Sequence, residues 1–254
     1  MKIVVPVKLI PDLVDELTID ATGAALDTTW LRLIINEFDD HAIEQAIILK
    51  ERSGGHVTVI SPNVEGVEDM LFTASAKGAD KLVKLNGNFD GSVNNHALAR
   101  GLLPLVQELQ PDLVLVGVQA HNDMDGTLGA LLAEYLHVPY VGYVSGVSVT
   151  SNQAIIRKEY PGGLVAEIEI ALPAVLGIQA SEQPPRYVAI SKVRQMMKTV
   201  SIDEYEIPVF ETHGGATVSR MYQPEVAEKA TMISGDVDET ANKLIDIFKE
   251  IGVL

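Results

Sequence analysis

The stretch "DLVLVGVQAHNDMDGTLGALLAEYL", residues 112–136, changes its hydrophobic period halfway along. Leu113 to Val116 form a short apolar run of the kind buried in a parallel sheet. Apolar side chains then return at helical spacing, and a helix is predicted to begin near Asp125 or Gly126. The polar link between them carries glycine, amide and carboxylate groups. A buried strand, a polar link and a helix make half of a βαβ unit, and the first-turn amides of such a helix point into the crevice above the sheet.

Outward from this junction the alternation recurs. "KIVVPVK" (2–8), "HVTVIS" (56–61) and "KLVKL" (81–85) read as strands; "NEFDDHAIEQAIILKERSGG" (36–55), "VEGVEDMLFTASAKGAD" (64–80) and "VNNHALARGLLPLVQELQ" (93–110) read as helices. Strands alternating with helices imply an α/β fold: a doubly wound, mostly parallel sheet with right-handed crossovers, whose ligands gather beyond the carboxyl ends of the strands. After Tyr140 the period shortens. Residues 143–179 alternate apolar and polar around the turn signal Pro161-Gly162-Gly163, predicting an antiparallel hairpin, with "PAVLGI" (173–178) as a further buried strand. A second hairpin is predicted at "ELTIDATGAALDT" (16–28). Residues 198–236 show no sustained period and read as an arm laid over another surface. The last segment, "DVDETANKLIDIFKEIGVL" (236–254), predicts a helix capped by Asp236 or Asp238 with Ala241, Leu244, Ile245, Phe248 and Ile251 on one stripe. The expected division is an α/β domain over 1–195 and a C-terminal arm and helix over 196–254.

Composition narrows the function. With 35 acidic against 19 basic residues the formal net charge is −16, so long-range electrostatics oppose nucleic acid and anionic lipid as partners. Cysteine is absent, which removes disulfides, thiolate metal sites and a cysteine nucleophile. The start, "MKIVVPVKLIPD", has too short an apolar run for a signal peptide, and no stretch approaches the roughly 20 apolar residues of a membrane span. A cytoplasmic location is expected. Neither GxGxxG after the first strand nor GxxxxGK[ST] occurs, and "SGGH" (53–56) reads as a helix-ending glycine pair.

The polar link at 117–127 is therefore the leading candidate site. Gly126 lets a ligand approach the backbone and Thr127 adds a hydroxyl. Asp125 reads either as an inward-turned N-cap or as part of a ligand contact, while Asn122 and Asp123 suit ribose hydroxyls or an adenine amine. "NEFDDHA" (36–42) gathers Asp39, Asp40 and His41 at another helix start, where solvated first-turn acids are the expected state, and Asn36 is a cap or a ligand contact. Lys8, ending the first strand, either faces the crevice as a point charge or is a plain surface lysine.

These residues resemble the β subunit of electron transfer flavoprotein nearly end to end. "VPVKLIPD" (5–12) is similar to that family's first strand and VK turn, "NEFDDHAIEQAIILKE" (36–51) to its NEFxxxAxEEAxxLKE helix, and "ASAKGAD" (74–80) to its ALAMGAD. "VGVQAHNDMDGTLGALLAE" (116–134) resembles its nucleotide loop, and "IIRKEYPGGLVAEIEIALPAVLGIQASEQPPRY" (155–187) its signature hairpin, LPAV strand and Pro-Arg-Tyr loop. The resemblance implies an adenine nucleotide α-hydrolase-like fold and an electron carrier that does no bond chemistry of its own. It implies a heterodimer with an α subunit holding the redox-active FAD, and AMP, or a second FAD if the protein bifurcates electrons, in this chain. Matching positions would place the nucleotide against Pro6, Asn36, Glu37, Phe38, Asp39, Pro62, Gly117, Val118, Gln119, Ala120, His121, Asn122, Asp123, Met124, Asp125, Gly126, Thr127 and Leu128. Ser181, Glu182, Gln183, Arg186 and Tyr187 would meet a dehydrogenase donor, and a membrane quinone reductase is an implied acceptor. Departures fall at Val118 in place of a lysine, at Asp125 to Leu128, and at Glu182 in place of a leucine. The alternative of a different class is a stand-alone nucleotide sensor of the universal stress protein type, which needs neither the Pro-Arg-Tyr loop nor the arm.

Overall fold

A computed structural model describes residues 1–87, 89, 94–123, 125–150, 152–208, 211–224 and 230–254. Met124 lies outside the described residues, as do 209–210 and 225–229 of the expected arm. The chain forms two compact units, Met1–Met221 and Tyr222–Leu254. In chain order the first holds β1 (Lys2–Pro6), β2 (Leu9–Pro11), β3 (Leu33–Ile35), α1 (Glu37–Ser53), β4 (His56–Pro62), α2 (Val67–Lys77), β5 (Lys81–Asn86), α3 (Asn95–Leu109) and β6 (Leu113–Gly117). It continues with α4 (Leu128–Leu136), β7 (Tyr140–Thr150), β8 (Gln153–Tyr160), β9 (Leu164–Ala171), β10 (Ala174–Ile178), α5 (Ile190–Thr199) and β11 (Asp203–Glu206). The second unit holds α6 (Val237–Glu250), whose Asp236 cap accepts the Glu239 amide at 2.9 Å.

Among the described residues one sheet runs β11-β5-β4-β1-β6-β10-β7-β8-β9. Pairing is parallel from β11 through β7 and antiparallel across β7, β8 and β9. The doubly wound sheet and the hairpin around Pro161-Gly162-Gly163 stand as expected. The continuous apolar runs have a physical cause: β6 buries both faces. Leu113 and Leu115 join Ile43, Ile47 and Leu71 of α1 and α2 on one side, while Val114 and Val116 join Leu98, Leu102 and Leu132 of α3 and α4 on the other. Each such side chain contributes about 1.5–3 kcal/mol when fully buried. Strand order reverses at β1, with β4 on one flank and β6 on the other, so the ligand crevice of this fold class lies above Pro6 and Gly117.

Three expectations are corrected and one pairing is added. The helix after β6 begins at Leu128, not at Asp125 or Gly126, because Asp125 Oδ1 draws Thr127 Oγ1 (2.6 Å) and Thr127 N (3.3 Å) into a turn outside it. The hairpin at 16–28 amounts to an isolated Ile19–Leu26 bridge. The aperiodic stretch after Lys198 is not an arm from its start: β11, "DEYE", extends the sheet beside β5, its acids met by Lys81 (3.1 Å to Asp203) and Lys84 (3.0 Å to Glu204). The first compact unit accordingly reaches Met221, past the expected boundary at 195. Finally, Leu9–Pro11 and Leu33–Ile35 pair antiparallel outside the main sheet, which no sequence period announced.

Candidate functional site

The crevice is built by the carboxyl ends of β1 and β6 and by the first turn of α1. Pro6 and Pro62 end their strands buried, and their side chains are apolar. Asp39, expected to be solvated, is buried: its Oδ2 accepts the Lys8 amide at 2.9 Å and its Oδ1 the Gly117 amide at 3.0 Å. One carboxylate thus ties the two strand ends that flank the reversal. Burial pushes the Asp39 carboxyl up to about 6, against the opposing charge of Lys8 and the amide bonds. Gly117 is required for this approach, since a β-carbon there would collide with Asp39 Oδ1 and stand 2.8 Å from Asp39 N. Asn36 occupies the N-cap position of α1 without capping it; its Nδ2 donates to Gln119 O at 2.9 Å, and its backbone N donates to Lys8 O at 3.1 Å. Glu37 is exposed and Phe38 half-buried beside it.

Residues 118–123 and 125–127 lie over these groups. Val118 and Ala120 are buried, Val118 N donating to Ile178 O at 3.0 Å. Asp123, assigned to ribose or adenine by its polarity, is committed within the protein: it pairs with Lys8 Nζ and its Oδ2 accepts the Ala120 amide at 3.0 Å. Lys8 therefore faces the crevice, with its charge already countered. Asp125 is held by Asn95, whose Nδ2 donates to Asp125 O at 2.7 Å and to Oδ1 at 2.8 Å. The Thr127 hydroxyl, then Asn95, keeps the Asp125 carboxyl below the ordinary range. Asn95 was missed in the sequence, where 93–110 was read only as a helix; its neighbour Asn94 caps that helix, accepting the Ala97 amide at 2.9 Å. Gly126 permits close backbone approach, but first of the loop to itself: a β-carbon would stand 3.0 Å from Val118 O. What remains open toward solvent is Gln119, His121, Asn122 and Gly126, with Thr127 and Leu128 half-buried at the start of α4. His121 Nε2 is fixed by Pro11 O at 2.9 Å. An exposed rim of amides lies over a floor where Lys8 is the one cation among Asp39, Asp123 and Asp125, which suits a polar, mostly uncharged group, with the first-turn amides of α4 available to one anionic group.

The loop 179–187 is bound along one side of α1. His41 Nδ1 lies 2.8 Å from Ser181 Oγ, Gln45 Oε1 accepts the Glu182 amide at 3.1 Å, and Arg52 reaches Glu182 at 2.8 Å. Arg186 bonds Glu44 and Glu51, so its guanidinium already has partners within the chain. Its pKa is raised by those carboxylates, Glu51 foremost. Glu182 is exposed yet tethered; Gln183 and Tyr187 are the side chains of this set that face solvent most freely, Tyr187 at 87%.

Comparison with known proteins decides the family. Residues 26–208 match the electron transfer flavoprotein domain. The chain belongs to the electron transfer flavoprotein family. It is 31% identical over 260 residues to the electron transfer flavoprotein subunit beta of Methylophilus methylotrophus, covering 98% of both chains. Identity to the subunit beta of Clostridium acetobutylicum is also 31%, over 98% of both chains. The caffeyl-CoA reductase-Etf complex subunit CarD of Acetobacterium woodii is 27% identical over 98% of each chain. Within the electron transfer flavoprotein family, then, this chain stands with the beta subunits. No helix among the described residues is long and apolar enough to cross a membrane.

Proposed function

We propose that this chain is the β half of a cytoplasmic heterodimer that carries electrons from a dehydrogenase to an acceptor such as a membrane quinone reductase, with FAD held mainly by the α subunit. FAD, when bound, supplies the electron acceptance and release. This chain's own residues bind, orient and present. The observation that carries the reading is the tie of Gly117 and Gln119 to the first turn of α1 above the strand reversal, in a chain whose family is named for flavoprotein electron transfer. Its donor set fits an adenine nucleotide: exposed Gln119 and Asn122 suit the adenosine moiety, and the α4 amides suit a phosphate. With Lys8 paired to Asp123 and the Asp39 and Asp125 carboxylates close by, one phosphate suits the crevice better than the diphosphate of a second FAD.

The test is co-purification with an α subunit, followed by identification of every nucleotide released on denaturation. One flavin and one adenine mononucleotide per heterodimer is the expected result. Two flavins would support the bifurcating form, and a chain that neither binds an α subunit nor retains a nucleotide would overturn the reading.

A further inference from the structure

We infer that Asp39 is the positioning residue of the 117–127 loop, setting its geometry through the Lys8 and Gly117 amides instead of touching the ligand. The inference rests on the adenine-nucleotide reading for its consequence, but its geometry stands on the chain alone.

Both oxygens of Asp39 are spent on backbone donors, and the residue is 5% exposed, so its side chain has no face left for a ligand. What those donors carry is the wall of the crevice. Gly117 opens the loop, and Lys8 closes it from the other side by pairing with Asp123, which in turn holds Ala120. The neighbouring Asn36 grips Gln119 from the same helical turn. Each element packed at the crevice is thus registered against a single carboxylate. The charged groups that face it are Lys8 and, behind Lys8, Asp123; on its own helix Asp40 is paired with Lys77, and Glu37 is exposed. Gly117 gives the arrangement its second, independent mark, because the site is shaped for the carboxylate: no side chain fits between residue 117 and Asp39 Oδ1.

A merely packed aspartate is an uneconomical way to fill this space, since burial works against its charge. A carboxylate offers two separate acceptor oxygens, where an asparagine offers one: Oδ2 takes the Lys8 amide just beyond β1 and Oδ1 the Gly117 amide of β6. Protonation weakens both bonds together. The loop then loses its registration at the end where the adenosine moiety is proposed to sit.

Full-length protein, wild type and Asp39→Asn, is followed from pH 5 to pH 8 by two measurements. The first is the ¹⁵N–¹H shift of the Lys8 and Gly117 amides. In wild type the two are expected to titrate together with one midpoint, and in Asp39→Asn neither moves in that window. The second is binding of adenosine, which carries no titrating phosphate. Asp39→Asn is expected to bind about tenfold more weakly than wild type at pH 7.5, the equivalent of one charge-assisted hydrogen bond, and to bind without the pH dependence of wild type. Amides that titrate apart or not at all in wild type overturn the inference, as does a variant with wild-type affinity and pH profile. If adenosine binds neither protein while the wild-type amides titrate together, the positioning role stands and the nucleotide reading fails. Should Asp39→Asn not fold, Asp39→Glu and the wild-type titration decide the matter alone.

Discussion

Arg186 and Glu44 are joined across 142 residues of sequence: Arg186 N and Nε both donate at 2.9 Å to the Glu44 carboxylate, which is 3% exposed. A buried carboxylate with a single cation is held together by that cation. Removing it leaves an uncompensated charge, so Arg186→Ala is expected to destabilise the chain by about 3 kcal/mol, with Arg186→Lys intermediate because it cannot bond Glu44 and Glu51 at once. Urea unfolding of the three proteins checks this; equal midpoints would free Arg186 for a partner.

Glu182 makes the contrasting case. It is the residue of the 179–187 loop that departs from the family pattern, and its pair with Arg52 is half exposed. Burial raises its pKa, but Arg52 and Gln45 outweigh burial and hold it below the ordinary range. A depressed carboxyl contributes stability above its unfolded pKa and loses it as pH falls through the folded value. At pH 7 Glu182→Gln should therefore cost less than about 1 kcal/mol, and the cost should vanish near pH 3. Thermal melts of the pair at both pH values measure it, and a constant difference would show that charge is not the cause.

The Gly117 amide sits where no β-carbon can. Gly117→Ala is expected to cost about 2–3 kcal/mol through overpacking against α1, although the same change in an ordinary strand would be neutral or favourable. Gly126→Ala is the control in the same loop: its β-carbon would meet Val118 O at 3.0 Å, an approach a small shift relieves, so a loss of about 1 kcal/mol is expected. Reversal of that order in denaturation experiments would contradict the close packing of α1 on β6.

The sheet was legible because its signals are local. Val4, Val59 and Val114 lie in runs whose burial on both faces leaves no room for polar alternation, and the Pro161-Gly162-Gly163 turn declares its hairpin. The candidate site was legible only as a place, the polar link between the buried strand β6 and the helix α4. What each acid does there was not. Asp39 and Asp40 are adjacent and chemically alike, yet one is buried between two strand ends and the other pairs with Lys77, a distinction made by residues 31 and 78 positions away from Asp39. The edge strand β11 was hidden for the same reason. "DEYE" has no strand-like alternation of its own and is drawn to the sheet by Lys81 and Lys84 on β5.

Asp39 also sets an expectation for stability. Its folded pKa is about 6 against 3.8 for the free side chain, so between these values the folded state binds the proton more tightly than the unfolded chain. Stability must then fall as pH rises from 4 to 6, and the penalty is fully present at pH 7, on the order of 2–3 kcal/mol. Acids whose pKa is depressed, Asp125 and Glu51 among them, act oppositely, with their contribution lost as pH drops below about 4. The two windows do not coincide, which lets them be separated. Asp39→Asn removes the first and leaves the second: its unfolding free energy should be nearly flat from pH 4 to 6, where that of wild type declines. Subtracting the two curves from urea denaturation at half-unit pH steps isolates the term, and a difference that does not change between pH 4 and pH 7 would mean that Asp39 is ionised throughout and burial has not moved it.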